Sequence, residues 1–167
     1  MNSKILLITI FVLIFFLSAL FLFFQNQFGK NGLSAGPLRR SSSESNRQGK
    51  VCFKEYCFDV KLAQNSAERT KGLMFQKTLE QNKGMLFLFD KEARYSFWMK
   101  NTLIPLDIIW IDKDNKVVFI SENNQPCKLY ICASINPTAD AKYVLEVNSG
   151  IIQKIGLKLS DELSLAY

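Results

Sequence analysis

LDIIWIDKDNKVVFIS, residues 106–121, reads as a β-hairpin. Two apolar arms, 106–112 and 116–121, flank the turn triplet Lys113-Asp114-Asn115. Side chains alternate across a strand, so Leu106, Ile108, Trp110 and Asp112 share one face. Asp107, Ile109 and Ile111 share the other, which sets an acid among isoleucines. An acid there must be paired or lie at the mouth of a cleft.

The stretch running into this hairpin, FWMKNTLIPLD (97–107), fits neither period. Its apolar residues do not alternate as in a strand or stripe as in a helix, and Pro105 excludes a helix through its middle. Such a stretch is held by a site or by a tight turn within a core. It supplies most of a candidate site: Arg69, Lys100, Asn101, Thr102 and Asp107 around a pocket walled by Trp98 and Met99. Arg69 or Lys100 would hold an oxyanion, Asn101 and Thr102 would bond sugar or peptide groups, and Trp98 would stack on a ligand face. The structural alternative makes Asp107 an ion pair with Lys100 or Arg69, with Asn101 and Thr102 serving local backbone groups.

Outward from the hairpin, strands are expected at 51–54, 56–63, 85–89, 95–100, 143–147 and 161–166. Asn65 and Glu68 have capping-box spacing for a short helix that Gly72 ends. A second short helix runs from Gly150 to Ile155, stopped by Gly156. Residues 123–142 read as loop. This is an α+β pattern, a compact β-rich domain expected to form a small barrel with two short helices.

The chain has four cysteines and no histidine. Cys52 and Cys57 flank the tip of a hairpin, KVCFKEYCFDV, and would face each other as a non-hydrogen-bonded pair if Lys54-Glu55 is the turn. Cys127 and Cys132 repeat the spacing around a small loop. Local disulfides Cys52–Cys57 and Cys127–Cys132, a four-cysteine zinc site and free thiols are the alternatives, and an oxidising compartment favours the disulfides. No metal site and no cofactor are expected.

Residues 5–24 carry no charge and are long enough, as a helix, to cross a hydrocarbon core. They are expected to be an uncleaved, single-pass membrane anchor after a tail of residues 1–4. Residues 25–50 read as a flexible basic linker, and 51–167 as the folded domain on the extracytoplasmic side. The net charge of +6 belongs to the N-terminal part. Lys4, Lys30, Arg39, Arg40, Arg47 and Lys50 stand there against Glu44, and basic and acidic residues nearly balance beyond. The partners expected are therefore a membrane and a small ligand, glycan or envelope protein, not nucleic acid.

Glu68-Arg69, Gly72-Leu73-Met74, Gly84-Met85-Leu86-Phe87, the run from Phe97 to Thr102 with Pro105-Leu106-Asp107, and Val144-Leu145-Glu146 with Gly150 form a wider pattern. In it the chain resembles the domain of unknown function 192 family of small, often exported bacterial and archaeal proteins, over roughly residues 56–166. The resemblance implies a single β-rich fold and assigns no activity. The expected function is a non-catalytic binding module. The alternative is an envelope hydrolase or transferase using Asp107 and Lys100.

Overall fold

The structure, a computed structural model, describes residues 16–18, 20, 21, 47–128 and 130–167. The chain divides into two units, Met1–Ser42 and Ser43–Tyr167. In the first, residues 16–18, 20 and 21 are helical and exposed. The rest of the anchor expected over 5–24, and the linker as far as residue 46, lie outside the described residues. Among the described residues no helix is long and apolar enough to cross a membrane.

Among its described residues the second unit has nine strands and two short helices. They are β1 (Gln48–Phe53), β2 (Tyr56–Ala63), α1 (Ser66–Lys71), β3 (Lys83–Ala93), β4 (Phe97–Trp98), β5 (Leu106–Ile111), β6 (Val117–Asn124), β7 (Ser134–Ile135), β8 (Ala141–Asn148), α2 (Ile151–Ile155) and β9 (Ser164–Ala166). Seven strands form one sheet in the order β6-β5-β8-β3-β2-β1-β9, and β4 pairs with β7 in a separate ribbon. Within the large sheet β2 and β3 run parallel and every other pair is antiparallel.

The hairpin at 106–121 forms as its sequence dictates. Asp112 Oδ1 accepts the amides of Asp114 and Lys116, and Asn115 takes a left-handed conformation, so the side chain builds the turn. All six residues of β5 are buried, because β5 lies between β6 and β8 with packing on both faces. Ile109 and Ile111 join one core with Val51, Phe58, Val60, Leu145 and Val147. Leu106, Ile108 and Trp110 join a second with Leu73, Phe87, Met99 and Val144. The sheet thus separates two apolar layers. The first is covered by α2 and the C-terminal residues Leu157 and Leu163. The second is covered by the β2–β3 crossover and the 97–106 stretch.

The expected barrel is not closed. Closure requires β6 to meet the far edge, and β9 is too short for that. The C-terminal segment touches the start of β6 through the Lys116–Glu162 bridge and the Val117–Asp161 and Ser160–Val117 hydrogen bonds. It then leaves to pair with β1 over Lys50–Cys52. The sheet is open and mixed.

Other boundaries move. β1 begins at Gln48, so residues 48–50 belong to the sheet rather than the linker. The strand expected over 95–100 shrinks to Phe97–Trp98. Met99 O accepts the amides of Thr102 and Cys127, and Asn101 sits at φ 56°, so the chain turns at 99–102 instead of continuing extended. This tight turn is why 97–107 has no period. The capping box forms as expected: Asn65 Oδ1 accepts the Glu68 amide, and Glu68 Oε2 accepts the amides of Gln64 and Asn65. The Gln64 contact leads the causes that hold the Glu68 carboxyl below its usual range.

Both disulfides are present, Cys52–Cys57 and Cys127–Cys132. The first joins directly opposed residues next to the Phe53–Tyr56 pair, with Lys54 left-handed at the tip. The second closes a loop whose Cys127 bridges Lys100, binding the 99–102 turn to the second apolar layer.

Candidate functional site

Between α1 and the second apolar face lies an open cleft of about 310 Å³. That volume is at the small end of the range for small-molecule sites. Gly72, Leu73 and Met74 form one side, and Tyr95 to Trp98 the other. Phe87 and Glu146 lie within it.

Glu146 stands on β8, paired in register with Met85 of β3 and Ile108 of β5. Two apolar neighbours leave its carboxyl without lateral partners. The residue is 5 % exposed, and Oε2 is buried with no hydrogen-bond partner among the described residues. Burial pushes the Glu146 carboxyl up from the ordinary carboxylate range to about 8. It is therefore mostly protonated at neutral pH, the form that burial disfavours least. Above it, Gly72 adopts φ 45°, ψ −136°. A β-carbon there would lie 3.3 Å from the Phe87 ring and 3.8 Å from Glu146 Oε2. The missing side chain keeps the carboxyl open to the cleft.

Arg69 projects from α1 into the same cleft and is fixed at its outer part. Its Nη1 donates to Gln64 O at 2.7 Å and to Leu88 O at 2.9 Å. The guanidinium lies over Phe89, 5.1 Å from the ring centre. Tyr95 stacks on the same ring and donates its hydroxyl to Lys91 O. Burial, the leading cause, pushes the Tyr95 phenol up.

The structure brings together three of the expected site residues. Arg69, Trp98 and Thr102 all line the cleft, Trp98 at 44 % exposure and Thr102 buried. Lys100 lies beside it, its ammonium 5.4 Å from the Trp98 ring centre and 6.0 Å from that of Tyr130. Asn101 serves the turn: its backbone carbonyl accepts the Phe75 amide and its own amide donates to Cys127 O.

Asp107 is elsewhere. It is fully buried on the first apolar face, where Oδ1 accepts the Asn123 amide at 2.8 Å and Oδ2 the Ile152 amide at 3.1 Å. The ion pair with Lys100 or Arg69 offered as the structural alternative does not form. A register shift in the β5–β6 ladder around Leu106–Ile108 presents the Asn123 amide, and α2 presents its first turn. Backbone donors answer this acid, so no cation is needed. Because Asp107 and Lys100 are not juxtaposed, they cannot act as an acid–base pair. The residue missed in the sequence is Glu146. Its signal is the same as that of Asp107: in YVLEV (143–147) it alternates onto the face of Val144.

A second hollow, about 250 Å³, lies beneath the crossover. Its charged residues include Asp59 and Lys83, which pair at 3.2 Å.

These features define a small open-sheet α+β domain with a carboxyl-floored cleft roofed by a crossover helix. The chain belongs to the DUF192 family, described as "Uncharacterized ACR", whose profile matches residues 49–165. Among curated relatives, the UPF0127 protein of Thermococcus sibiricus is 29 % identical over 106 residues, covering 62 % of this chain and 64 % of the relative. That of Thermococcus kodakarensis is 30 % identical over 107 residues, 63 % of each chain. That of Pyrococcus furiosus is 27 % identical over 112 residues, 66 % of this chain and 89 % of the relative. The chain thus spans just under two thirds of the two Thermococcus proteins. A crystal structure of a Novosphingobium aromaticivorans protein of unknown function matches with TM-score 0.63 and 35 % identity, over 70 % of this chain and 83 % of that one. A Sinorhizobium meliloti protein named as a candidate transcription regulator matches with TM-score 0.64 and 30 % identity, over 71 % and 92 %.

Proposed function

We infer that the domain is a binding module, that its site is the cleft over Glu146, and that residues 5–24 hold it at the extracytoplasmic face of a membrane. The observation that carries the site is the buried, unpartnered Glu146 Oε2 opening into a cleft with aromatic walls. A buried polar atom left without a partner costs stability. A ligand that supplies the missing hydrogen bond recovers that cost as affinity. Binding is favoured over catalysis because Glu146 is the one carboxylate among the described cleft residues, so no carboxylate pair can be assembled there. The regulatory role named for the Sinorhizobium protein is not adopted: charges nearly balance beyond residue 50, and the sequence there carries no basic stripe with interleaved aromatics for nucleic acid. The address rests on the uncharged N-terminal segment and on two disulfides in a histidine-free domain.

A fragment screen on the full chain, read by amide and indole NMR, tests the site. Cleft ligands move the Trp98 indole and the Gly72 amide and leave the Asn123 and Ile152 amides in place. Hits confined to the Asp107 face, or none at all, overturn the reading. A C-terminal reporter active only outside the cytoplasm tests the address.

A further inference from the structure

We propose that the cleft takes a small organic anion with an apolar body, its oxyanion on the Arg69 guanidinium and its other polar end on the carboxyl of Glu146. The assignment rests on the binding reading above and names the ligand's chemistry. Three observations carry it.

The first is the state of Arg69. Both hydrogens of Nη1 are given to backbone carbonyls, one before α1 and one on β3, which fixes the plane of the guanidinium. The N–H groups on Nε and Nη2 remain for a ligand in a cleft that Arg69 lines. A guanidinium held in place before binding loses little freedom on meeting an oxyanion, and its fork suits a planar carboxylate.

The second is the charge of the wall. Besides Glu146, α1 brings the charged Arg69 guanidinium to the lining of the cleft. On β3 and β5 the residues beside Glu146 are Met85 and Ile108, and the titratable group of the 95–98 wall is Tyr95. An organic cation would be drawn to an ionised Glu146 but would have to pass the Arg69 guanidinium. An anion meets attraction at the rim and a neutral acid at the floor.

The third is separation. Burial alone accounts for the raised affinity of Glu146 for its proton, and no neighbouring cation offsets it. The two polar ends of the ligand are therefore served by two distinct groups. The Phe87 and Phe97 rings also line the cleft and suit an apolar or aromatic body. Protonated Glu146 donates its O–H to an acceptor such as a carbonyl oxygen.

The test uses the full chain and three probes: phenylpropionate, its para-acetyl derivative and phenylpropylamine. Titrations read the Trp98 indole near pH 6.5 and near pH 9. The acetyl carboxylate should bind at least about tenfold more tightly than the amine at the lower pH. Its advantage over plain phenylpropionate should vanish at the higher pH, where ionised Glu146 no longer donates. E146Q, which keeps a donor, should retain that advantage at both values, and E146L should lose it. R69M should weaken both carboxylates about tenfold, with the amide spectrum confirming the fold. The comparison of carboxylates with amine needs only the wild-type chain, so a misfolded variant cannot mask the answer. An amine that binds more tightly than either carboxylate overturns the anion assignment and leaves the cleft a binding site. Silence from all three probes, while the fragment screen finds other cleft ligands, overturns the assignment alone. If that screen also finds none, both readings fall.

Discussion

The two faces of the sheet each bury one acid, on neighbouring strands, and treat them in opposite ways. On the first face Asp107 receives two backbone amides, from the end of β6 and the start of α2. Its charge organises the chain: it holds a left-handed turn at Asn123 and the first turn of a helix against the core. On the second face Glu146 receives nothing at Oε2 and lies under a gap that Gly72 keeps open. One acid is consumed by the fold and the other is reserved from it. A buried acid is therefore weak grounds for a site by itself, and the count of its donors decides which kind it is.

The contrast can be broken most sharply at Asp107. D107A strands the buried Ile152 amide and the half-buried Asn123 amide and should cost about 3–5 kcal/mol, while D107N, which keeps one acceptor oxygen, should cost about 2–3 kcal/mol. Denaturant unfolding measures both. A neutral D107A would mean that the two acids are alike after all.

The next effect is the pH dependence of Glu146. Its folded-state pKa, about 8, lies above the ordinary carboxylate value of 4.5, so the folded protein binds the extra proton between them. Its contribution to stability is complete below about pH 4.5 and is lost as pH rises through about 8, on the order of 5 kcal/mol in all. E146Q should flatten this slope, and E146L should be as stable as the wild type or more so at pH 8. Melting temperatures over that range measure it. Equal slopes for the wild type and E146Q would place a cation or a donor on Glu146.

The disulfides extend the comparison: Cys127 packs against the second apolar layer, while Cys52–Cys57 belongs to neither core. Both close loops of sequence separation 5, so each should contribute about 2 kcal/mol in the chain-entropy account. Only the C127S/C132S pair should also move the Trp98 indole resonance, because Cys127 bridges the turn beside it. The C52S/C57S pair should leave that resonance unchanged.

The smallest effect is expected at Gly72. G72A places a β-carbon on a backbone with φ 45° and against Phe87, and should cost about 1–2 kcal/mol. It should also weaken any ligand that reaches Glu146, which calorimetry reads. D107N should leave that affinity alone.

Local structure was the more legible in sequence. The 106–121 hairpin, the Asn65 capping box, the two helix stops and both cysteine pairs follow from local chemistry within a few residues. Closure of the sheet does not, because alternation fixes which residues face inward but not which strand lies at which edge. The site was legible only in part. Arg69, Trp98 and Thr102 stand near one another on segments the sequence marks, but Glu146 looks like a solvent-facing acid. Its burial comes from the segments packed over that face, residues 72–74 and 95–98, which alternation along β8 does not reveal. Tertiary packing also moves Asp107 off the site, since its partners are backbone amides that carry no side-chain signature.

The parallel pairing of β2 with β3 has a consequence for how the family could diversify. Parallel neighbours cannot be joined by a tight turn, so the chain must arch over the sheet through residues 64–82. That arch contains α1 and roofs the cleft, while the floor is laid by β8, which the arch does not interrupt. Insertions, deletions or a longer helix between Ala63 and Lys83 can reshape the roof without shifting a single pair in the sheet. The shape of the cleft can thus drift among relatives of unequal length while the strand register stays constant.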